Sequence, residues 1–304
     1  MADVGLVVMA YGTPARPADI ESYYTHIRRG RPPTPERLAE LTARYDAIGG
    51  TSPLAERTEA QRAAIAGSLG QTEPGRWQVV LGQKHAAPFI EDAVAGLAES
   101  GVRHVVGLVL APHFSRASVG EYQSRLRAAA GAHGLAASAI DSWHLEPSYL
   151  AFLVGATREG LAASPDRTKV LFTAHSLPER ALLADPYVGQ LRASAQAVAG
   201  TLGLHPWAQW SIGWQSAGRT ADPWRGPDVL EVIDDLAATG RADGVLVCPH
   251  GFVSDHLEVV YDLDIEARAR AEARGLAFRR TRVLNDDRTV LAALADRVRS
   301  LVPA

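Results

Sequence analysis

Short apolar runs alternate with segments of helical period along the 304-residue chain. The predicted strands are residues 5–11, 77–82, 104–111, 169–175, 210–214 and 244–249. The predicted helices are residues 35–45, 55–69, 89–100, 119–133, 191–202, 228–239, 255–273 and 288–301. Parallel strands need long crossover connections, which helices usually provide, so this order predicts an α/β fold in which helices flank parallel sheets.

A weak internal repeat divides this pattern into two halves. Residues 10–14 (AYGTP) match 174–178 (AHSLP), 82–83 (GQ) match 213–215 (GWQ), and 111–114 (APHF) match 248–252 (CPHGF). The matches come in the same order, so two related α/β halves explain them better than chance does. The halves are expected to meet in the region of residues 145–165.

The repeat places Tyr11 and His175 at equivalent strand ends. Ligands of open α/β sheets bind outside the carboxyl ends of the strands, so both side chains are predicted to line one cleft between the halves. A phenol and an imidazole there can approach opposite faces of a flat ligand. A structural alternative for His175 stays open, in which backbone groups at the strand end satisfy its ring nitrogens.

Three carboxylates recur every four residues in segment 255–268. Glu258, Asp262 and Glu266 fall on one stripe of a helix, where they repel one another. A solvated acidic face is one explanation, although the segment is apolar elsewhere. The other is that the oxygens hold a divalent cation or pass it along, since an imidazole plus carboxylates suits Fe(II).

Arginines and aromatic residues form a second group of candidates. Arg28 and Arg44 lie near the N-terminus, with Ser52 close in sequence. Arginine forks orient polyacidic ligands, and a solvated loop is the alternative. The aromatic residues at predicted strand ends and loops suit either a large planar ligand or ordinary core packing. They are Tyr11, Tyr122, Trp214 and Trp224.

Composition excludes several classes of function. The formal net charge of −3 provides no general basic surface for nucleic acid. The single cysteine, Cys248, excludes an internal disulfide framework and an iron–sulfur cluster held by this chain alone. The sequence has no glycine-rich nucleotide-binding motif, no basic leader and no apolar run of membrane-spanning length. We therefore expect a cytoplasmic globular protein.

Seven motifs together resemble the ferrochelatase family and cover nearly the whole chain in the family's order. They are YYTHIRRGR (23–31), RYDAIGGTSPL (44–54), KHAAPFIEDAV (84–94), LAPHFS (110–115), TAHSLPER (173–180), GWQSAGRTADPWRGPDV (213–229) and DHLEVVYDLD (255–264). The resemblance implies two Rossmann-like domains of the type II chelatase kind, residues 1–150 and 151–304. A porphyrin occupies the cleft between them, and the C-terminal helix packs back on the first. It also implies insertion of Fe(II), a substrate, with no required cofactor.

The resemblance assigns roles residue by residue. His175 in TAHSLPE and Glu258 in DHLEVVYD match the family's metal-binding and catalytic pair. Asp262 and Glu266 match outer acidic positions that ferry metal or protons. Tyr11 in MAYGTP matches the tyrosine on the opposite porphyrin face. The positions that match contacts to the macrocycle or its propionates are Arg28, Arg44, Tyr45, Ser52 and Tyr122.

The branch of the family bears on the substrate. The chain has no apolar membrane-docking lip or C-terminal extension, and Tyr11 stands where the soluble monomeric branch has it. Both features favour coproporphyrin III, with four propionates, over protoporphyrin IX, with two. His250 in CPHGF departs from the apolar residue that the family implies. We therefore expect the cleft wall near this loop to be less dry than in relatives.

Three alternatives stay open. They are a protoporphyrin IX ferrochelatase, a cobalt or nickel chelatase for another tetrapyrrole, and a non-enzymatic tetrapyrrole carrier. We expect a monomer without integral membrane association, and a downstream haem-pathway enzyme as a partner that could receive the product.

Overall fold

Two separate four-stranded parallel sheets form the framework of the chain in a computed structural model, which describes residues 2–302. The strands are β1 (Val4–Ala10), β2 (Trp77–Gln83), β3 (His104–Val109), β4 (Ala136–Ile140), β5 (Thr168–His175), β6 (Trp210–Gln215), β7 (Gly244–Cys248) and β8 (Ala277–Arg280). The first sheet has the order β2-β1-β3-β4 and the second β6-β5-β7-β8. The predicted fold class is therefore confirmed.

Helices connect the parallel strands. They are α1 (Ile20–Ile27), α2 (Pro35–Ala47), α3 (Leu54–Thr72), α4 (Ile90–Glu99), α5 (Val119–Ala132), α6 (Pro147–Ala162), α7 (Tyr187–Thr201), α8 (Val229–Thr239), α9 (Leu257–Val259), α10 (Arg268–Ala273) and α11 (Arg288–Arg299). A π-helix, Val260–Ala267, joins α9 to α10. Within residues 2–302, no helix has both the length and the apolar character needed to cross a membrane.

The two sheets repeat one strand order, as the sequence repeat indicates. In each half the first strand is flanked by the second and third, and the fourth is at the edge. Ala10 ends β1 opposite Gln83, and His175 ends β5 opposite Gln215. Tyr11 follows β1 directly, so Tyr11 and His175 both lie where the first strand of a half ends.

One apolar core joins the two halves. Leu6 of β1 belongs to the same buried cluster as Phe172 of β5 and Leu246 of β7. The C-terminal helix α11 also packs against α3, and Leu294 and Leu69 are both fully buried in this cluster. The expected boundary between residues 150 and 151 falls inside α6. The division into two domains therefore stays a prediction.

A buried glutamine fixes the segment that leads into α9. Gln61 of α3 donates from Nε2 to the carbonyls of Asn285 at 2.8 Å and Val253 at 3.2 Å. Its Oε1 accepts from Ser254 Oγ at 3.2 Å. Because Gln61 is fully buried, these bonds are shielded from water. They hold the start of the helical segment 257–273, here called the acidic helix because it carries Glu258, Asp262 and Glu266, against the first half.

Candidate functional site

His175 and Glu258 meet at the carboxyl edge of the second sheet. His175 is the last residue of β5, and Glu258 lies in the first turn of α9. His256 caps this helix, because its Nδ1 accepts from the amide of Val259 at 3.1 Å. Nε2 of His175 is 3.6 Å from Oε1 of Glu258, and their side chains are 35% and 36% exposed. A ligand can therefore reach the pair.

Charge interactions set the protonation of this pair. Burial lowers the pKa of His175, but Glu258 and the Ser176 carbonyl, 2.5 Å from Nδ1, outweigh it and raise the pKa to about 9. Burial raises the pKa of Glu258, yet the attraction of His175 outweighs it and lowers the pKa to about 2. At neutral pH the pair is an imidazolium and a carboxylate, whereas an isolated imidazole titrates near neutrality.

Tyr11 lines a cavity of about 560 Å³, together with Arg29, Lys84 and His85. The phenol is 43% exposed, and its ring centroid lies 4.6 Å from that of His85. Partial burial and the charge of Glu258 raise the pKa of Tyr11, so the phenol keeps its proton at neutral pH. The charge of Glu258 therefore acts on Tyr11, which lies beside a cavity of ligand-binding size.

The helix that carries the three carboxylates is not one regular α-helix. The π-helix over Val260–Ala267 interrupts it, and it begins at Leu257. The predicted helix over 255–273 is therefore confirmed as one continuous helical segment over 257–273, and what the sequence did not show is its π-helical middle. A π-helical turn is wider than an α-helical turn and keeps side chains four residues apart on one face. The charges of Glu258 and Glu266 accordingly both act on Asp262.

Asp262 connects the acidic helix to the first half. Arg44, in the last turn of α2, forms an ion pair with it and stacks over the Tyr261 ring, 4.5 Å from the centroid. Ser216 Oγ donates to the other carboxylate oxygen at 2.5 Å. Burial, against the opposing charge of Arg44, raises the pKa of Asp262 to about 7. This carboxyl can therefore exchange a proton near neutral pH.

The family model of ferrochelatase matches residues 3–301 of the chain. The chain belongs to the ferrochelatase family. This finding confirms the family resemblance seen in the seven sequence motifs.

Three curated relatives illustrate the match. The coproporphyrin III ferrochelatase of Geobacillus kaustophilus (strain HTA426) is 43% identical over 298 residues, 96% of this chain and 93% of the relative. The coproporphyrin III ferrochelatase of Bacillus subtilis (strain 168) is 42% identical and covers 96% of each chain. A protein of Herpetosiphon aurantiacus named ferrochelatase is 41% identical, covering 94% of this chain and 95% of its own.

Solved structures agree on the fold. The cobalt complex of the sirohydrochlorin chelatase SirB from Bacillus subtilis subspecies spizizenii has a TM-score of 0.57 and 12% identity, and covers 99% of this chain and 95% of that chain. CbiX, the terminal enzyme of sirohaem biosynthesis in denitrifying bacteria, has a TM-score of 0.56 and 15% identity, and covers 99% and 100%. At such low identity the likeness shows the two-sheet chelatase fold alone.

The other residues matched to ferrochelatase macrocycle contacts have local partners. Tyr45 is buried, with its hydroxyl 3.4 Å from Thr13 Oγ1. Ser52 Oγ accepts from the Leu54 amide at 3.2 Å, and Nε of Arg28 donates to the Arg31 carbonyl at 3.2 Å. Tyr122 is buried, with Lys84 Nζ 5.4 Å from its ring centroid. Of the matched residues only Tyr11 lines the 560 Å³ cavity within residues 2–302.

Sequence reasoning missed two residues that line the 560 Å³ cavity. Lys84 is buried and pairs with Glu121 at 2.6 Å. Next to it, His85 places Nδ1 at 3.0 Å from Nδ1 of His26, and burial, with Lys84 nearby, lowers its pKa to about 3. Lys84 and His85 directly follow β2. Because ligands bind at the carboxyl ends of parallel strands, this position could have identified them from the sequence.

His250 lies in the core of the protein. It is fully buried, its Nε2 lies 3.1 Å from the Leu191 carbonyl, and its own carbonyl accepts from Tyr149 Oη at 2.5 Å. Burial lowers its pKa to about 4, which keeps the ring neutral at pH 7. It lines neither this cavity nor a smaller pocket, of about 250 Å³, beside the acidic helix.

Proposed function

We propose that this chain is an enzyme that inserts Fe(II) into coproporphyrin III, forming iron coproporphyrin III in haem biosynthesis. The observation that carries the proposal is the ionised His175–Glu258 pair, whose carboxylate charge acts on Tyr11, a residue that lines a ligand-sized cavity. Relatives of 42% and 43% identity that carry the name coproporphyrin III ferrochelatase support the choice of porphyrin.

The reaction needs groups that handle protons and a cation at one place. Metalation removes two pyrrole N–H protons and exchanges the water ligands of iron for four nitrogens in the ring plane. We assign proton acceptance and iron delivery to the His175–Glu258 pair, whose members are 3.6 Å apart. The Glu258 carboxylate has free lone pairs for either task, and His175 accepts a pyrrole proton or binds iron only after its imidazolium has released its own proton. Asp262 and Glu266, on the same helix, relay protons or metal between this pair and solvent.

Substrate binding supplies the distortion that a planar macrocycle needs. A bent ring turns a pyrrole nitrogen toward the metal or base, and contacts to the propionates provide the binding energy. In this proposal Tyr11 faces the porphyrin opposite His175. The residues that contact the macrocycle or its propionates are Arg28, Arg44, Tyr45, Ser52 and Tyr122.

The proposal includes the remaining properties of the enzyme. Iron is a substrate, and no resident cofactor or iron–sulfur cluster takes part. The enzyme is a cytoplasmic monomer whose product can pass to a downstream haem-pathway enzyme. Residues 1–150 and 151–304 form the two sides of the porphyrin cleft. The ferrochelatase family and the absence of a membrane-spanning helix within residues 2–302 are compatible with this assignment.

Anaerobic turnover tests the function directly. Purified enzyme is mixed with Fe(II) and either coproporphyrin III or protoporphyrin IX, and metalation is followed by absorbance. We expect a higher kcat/KM for coproporphyrin III, because four carboxylates offer more contacts to the arginines than two do. Faster metalation of protoporphyrin IX would contradict the choice of substrate. Binding of both porphyrins without metalation would indicate a carrier instead.

A further inference from the structure

The peptide group that follows His175 is held at both ends. Tyr187 Oη donates to the His175 carbonyl at 3.2 Å, and the Ser176 amide donates to the Gln215 carbonyl at 2.8 Å. One bond uses the oxygen and the other the hydrogen of a single planar unit, so the plane cannot turn without breaking one of them. Tyr187 and Ser176 are both buried, so water has little access to these bonds. The backbone just beyond His175 is therefore fixed.

The carbonyl of Ser176 in turn decides which nitrogen of the His175 ring is free. It lies 2.5 Å from Nδ1. A carbonyl oxygen only accepts, so Nδ1 carries a hydrogen and donates it. The hydrogen bond made by one imidazole nitrogen leaves the other for proton or metal chemistry. That other nitrogen is Nε2, which faces Oε1 of Glu258 at 3.6 Å.

Tyr187 is itself held in place at the start of α7. Its amide donates to Asp185 Oδ1 at 3.0 Å, and Asp185 Oδ2 accepts from the amide of Arg116 at 2.8 Å. Its ring packs in an apolar cluster with Ala174 and Trp214. Arg116 belongs to the first half, so the start of α7 is bonded to both halves.

Two histidines that the sequence repeat pairs hold the same helix further along. Nε2 of His113 is 2.8 Å from Ser194 Oγ, and Nε2 of His250 is 3.1 Å from the Leu191 carbonyl. The two rings lie side by side, with centroids 5.1 Å apart. Leu191 and Ser194 both belong to α7, so the helix is fixed from its first residue to its middle. Tyr187 therefore presents its hydroxyl from a rigid support.

We propose that Tyr187 is a positioning residue for His175. Ser176 joins the peptide group that Tyr187 holds to the one that carries its own carbonyl, so the Tyr187 hydroxyl keeps that carbonyl at Nδ1 and leaves Nε2 as the nitrogen available to iron or to a pyrrole proton. Tyr187 lines neither the 560 Å³ cavity nor the smaller pocket, so it acts through His175 and not by contact with the porphyrin. The inference rests on the proposed function, because it names the atom of His175 at which that function takes place.

NMR of the histidine ring without porphyrin provides the first test. Wild-type protein and Tyr187→Phe are labelled with ¹⁵N-histidine, and His175→Gln identifies the His175 signals by their loss. We expect the Nδ1–H proton of wild type to resonate far downfield, because its bond to the Ser176 carbonyl is short. In Tyr187→Phe this signal should move upfield, and its exchange with water should become about tenfold faster or more.

Tyr149→Phe is the matched control. Tyr149 is also buried, and its hydroxyl also donates to a backbone carbonyl, that of His250, at 2.5 Å. The substitution therefore removes the same group and leaves a carbonyl without the same kind of donor, but not at His175. We expect its His175 signals to match those of wild type. Thermal unfolding of both variants shows whether each retains the fold.

Steady-state kinetics provide the second test. In Tyr187→Phe we expect kcat to fall about tenfold or more while the KM for coproporphyrin III stays unchanged, and Tyr149→Phe should metalate like wild type. A merely structural role would lower the activity of both variants alike.

Four outcomes would overturn the positioning role. In wild type, a His175 Nδ1–H signal without the downfield shift would do so whether or not the variants fold. Unchanged His175 signals in Tyr187→Phe, an unchanged kcat in that variant, or an equal loss of kcat in Tyr149→Phe would do the same.

The proposed function fails separately. If wild-type protein does not metalate coproporphyrin III but the His175 signals still respond to Tyr187→Phe and not to Tyr149→Phe, the positioning role is supported and the substrate assignment is wrong.

Discussion

The two halves share one strand order but carry different chemistry at the equivalent strand ends. At the end of β1, Tyr11 lies beside His85, and both line the cavity together with Lys84. This edge therefore places two aromatic rings and an ammonium group beside the cavity. After β5, His175 meets Glu258 and the acidic helix. The buried strands carry stability in both halves, so the residues beyond their ends are free to differ. In the proposed function, the first sheet supplies a binding wall, and the second supplies acid–base and metal chemistry.

Replacing His175 should have the largest effect on activity. His175→Ala removes the imidazole that we assign to proton and metal transfer, so kcat should fall by about 10²- to 10⁴-fold. Coproporphyrin III binding, measured by absorbance titration, should stay near wild type, because the first half supplies most of the proposed contacts. Near wild-type turnover in this variant would show that His175 takes no part in the reaction. The assignment of proton and metal transfer to the second half would then lose its main support.

Shortening the Leu294 side chain of α11 should show that the halves do not fold independently. Leu294 is fully buried in the core cluster that joins them. Leu294→Ala should lower the free energy of unfolding by about 3 kcal/mol through lost packing and a cavity. Urea denaturation measures this change, with Leu301→Ala, at a residue 36% exposed, as the control. Two separate unfolding transitions would instead indicate independent domains.

The His175–Glu258 pair should stabilise the protein in a limited pH range. Folding lowers the pKa of Glu258 from 4.5 to about 2, so this contribution is complete above 4.5 and is lost as pH falls toward 2. Folding raises the pKa of His175 from 6.5 to about 9, so its contribution is complete below 6.5 and is lost as pH rises through 9. Stabilisation is therefore largest between 4.5 and 6.5.

A double-mutant cycle measures this coupling. His175→Gln, Glu258→Gln and the double variant are unfolded by urea at about pH 5.5 and about pH 9.5. Both side chains are about a third exposed, so solvent screening should keep the coupling below about 1 kcal/mol even at the lower pH. A coupling that grows from the lower to the higher pH would contradict the ionised pair.

Replacing Tyr11 should have the smallest effect on rate. Tyr11→Phe keeps the ring beside His85 and removes only the hydroxyl, so insertion should slow less than in His175→Ala. The absorbance spectrum of the bound iron product should change, because the phenol oxygen is the group that we expect near iron on this face. An unchanged product spectrum would show that iron does not lie near the Tyr11 hydroxyl. Tyr11 would then have no role at the iron, and the proposed contrast between the Tyr11 side and the His175 side would be weaker.

The sequence predicted the long, apolar elements of the fold and missed the atypical ones. Strands β4 (AASAI) and β8 (AFRR) lack the continuous apolar run of a buried strand, because the first is alanine-rich and the second carries two arginines. Helix α6 is an exception among the long elements: it has 16 residues but was missed, because the halves were expected to meet in its region. Helix α1 directly follows a 3₁₀ turn and runs for only eight residues. Packing against the rest of the protein decides such segments.

The candidate site divides in a similar way. A strand that ends in a histidine, a carboxylate every fourth residue and the repeat were enough to select His175, Glu258 and Tyr11. The same patterns gave no sign of the Arg44–Asp262 ion pair or of the Ser216–Asp262 hydrogen bond. These contacts join residues far apart in the chain, so no local spacing encodes them.

By itself the sequence determined the class of fold, the family and the types of residue at the strand ends, since local periodicity and short motifs carry that information. Only the tertiary structure decided how these residues act. The close approach of Glu258 makes His175 an imidazolium, and burial raises the pKa of Asp262 to about 7. The smaller pocket beside the acidic helix likewise forms between residues of both halves. Desolvation and distance, which set charge states, exist only once the chain has folded.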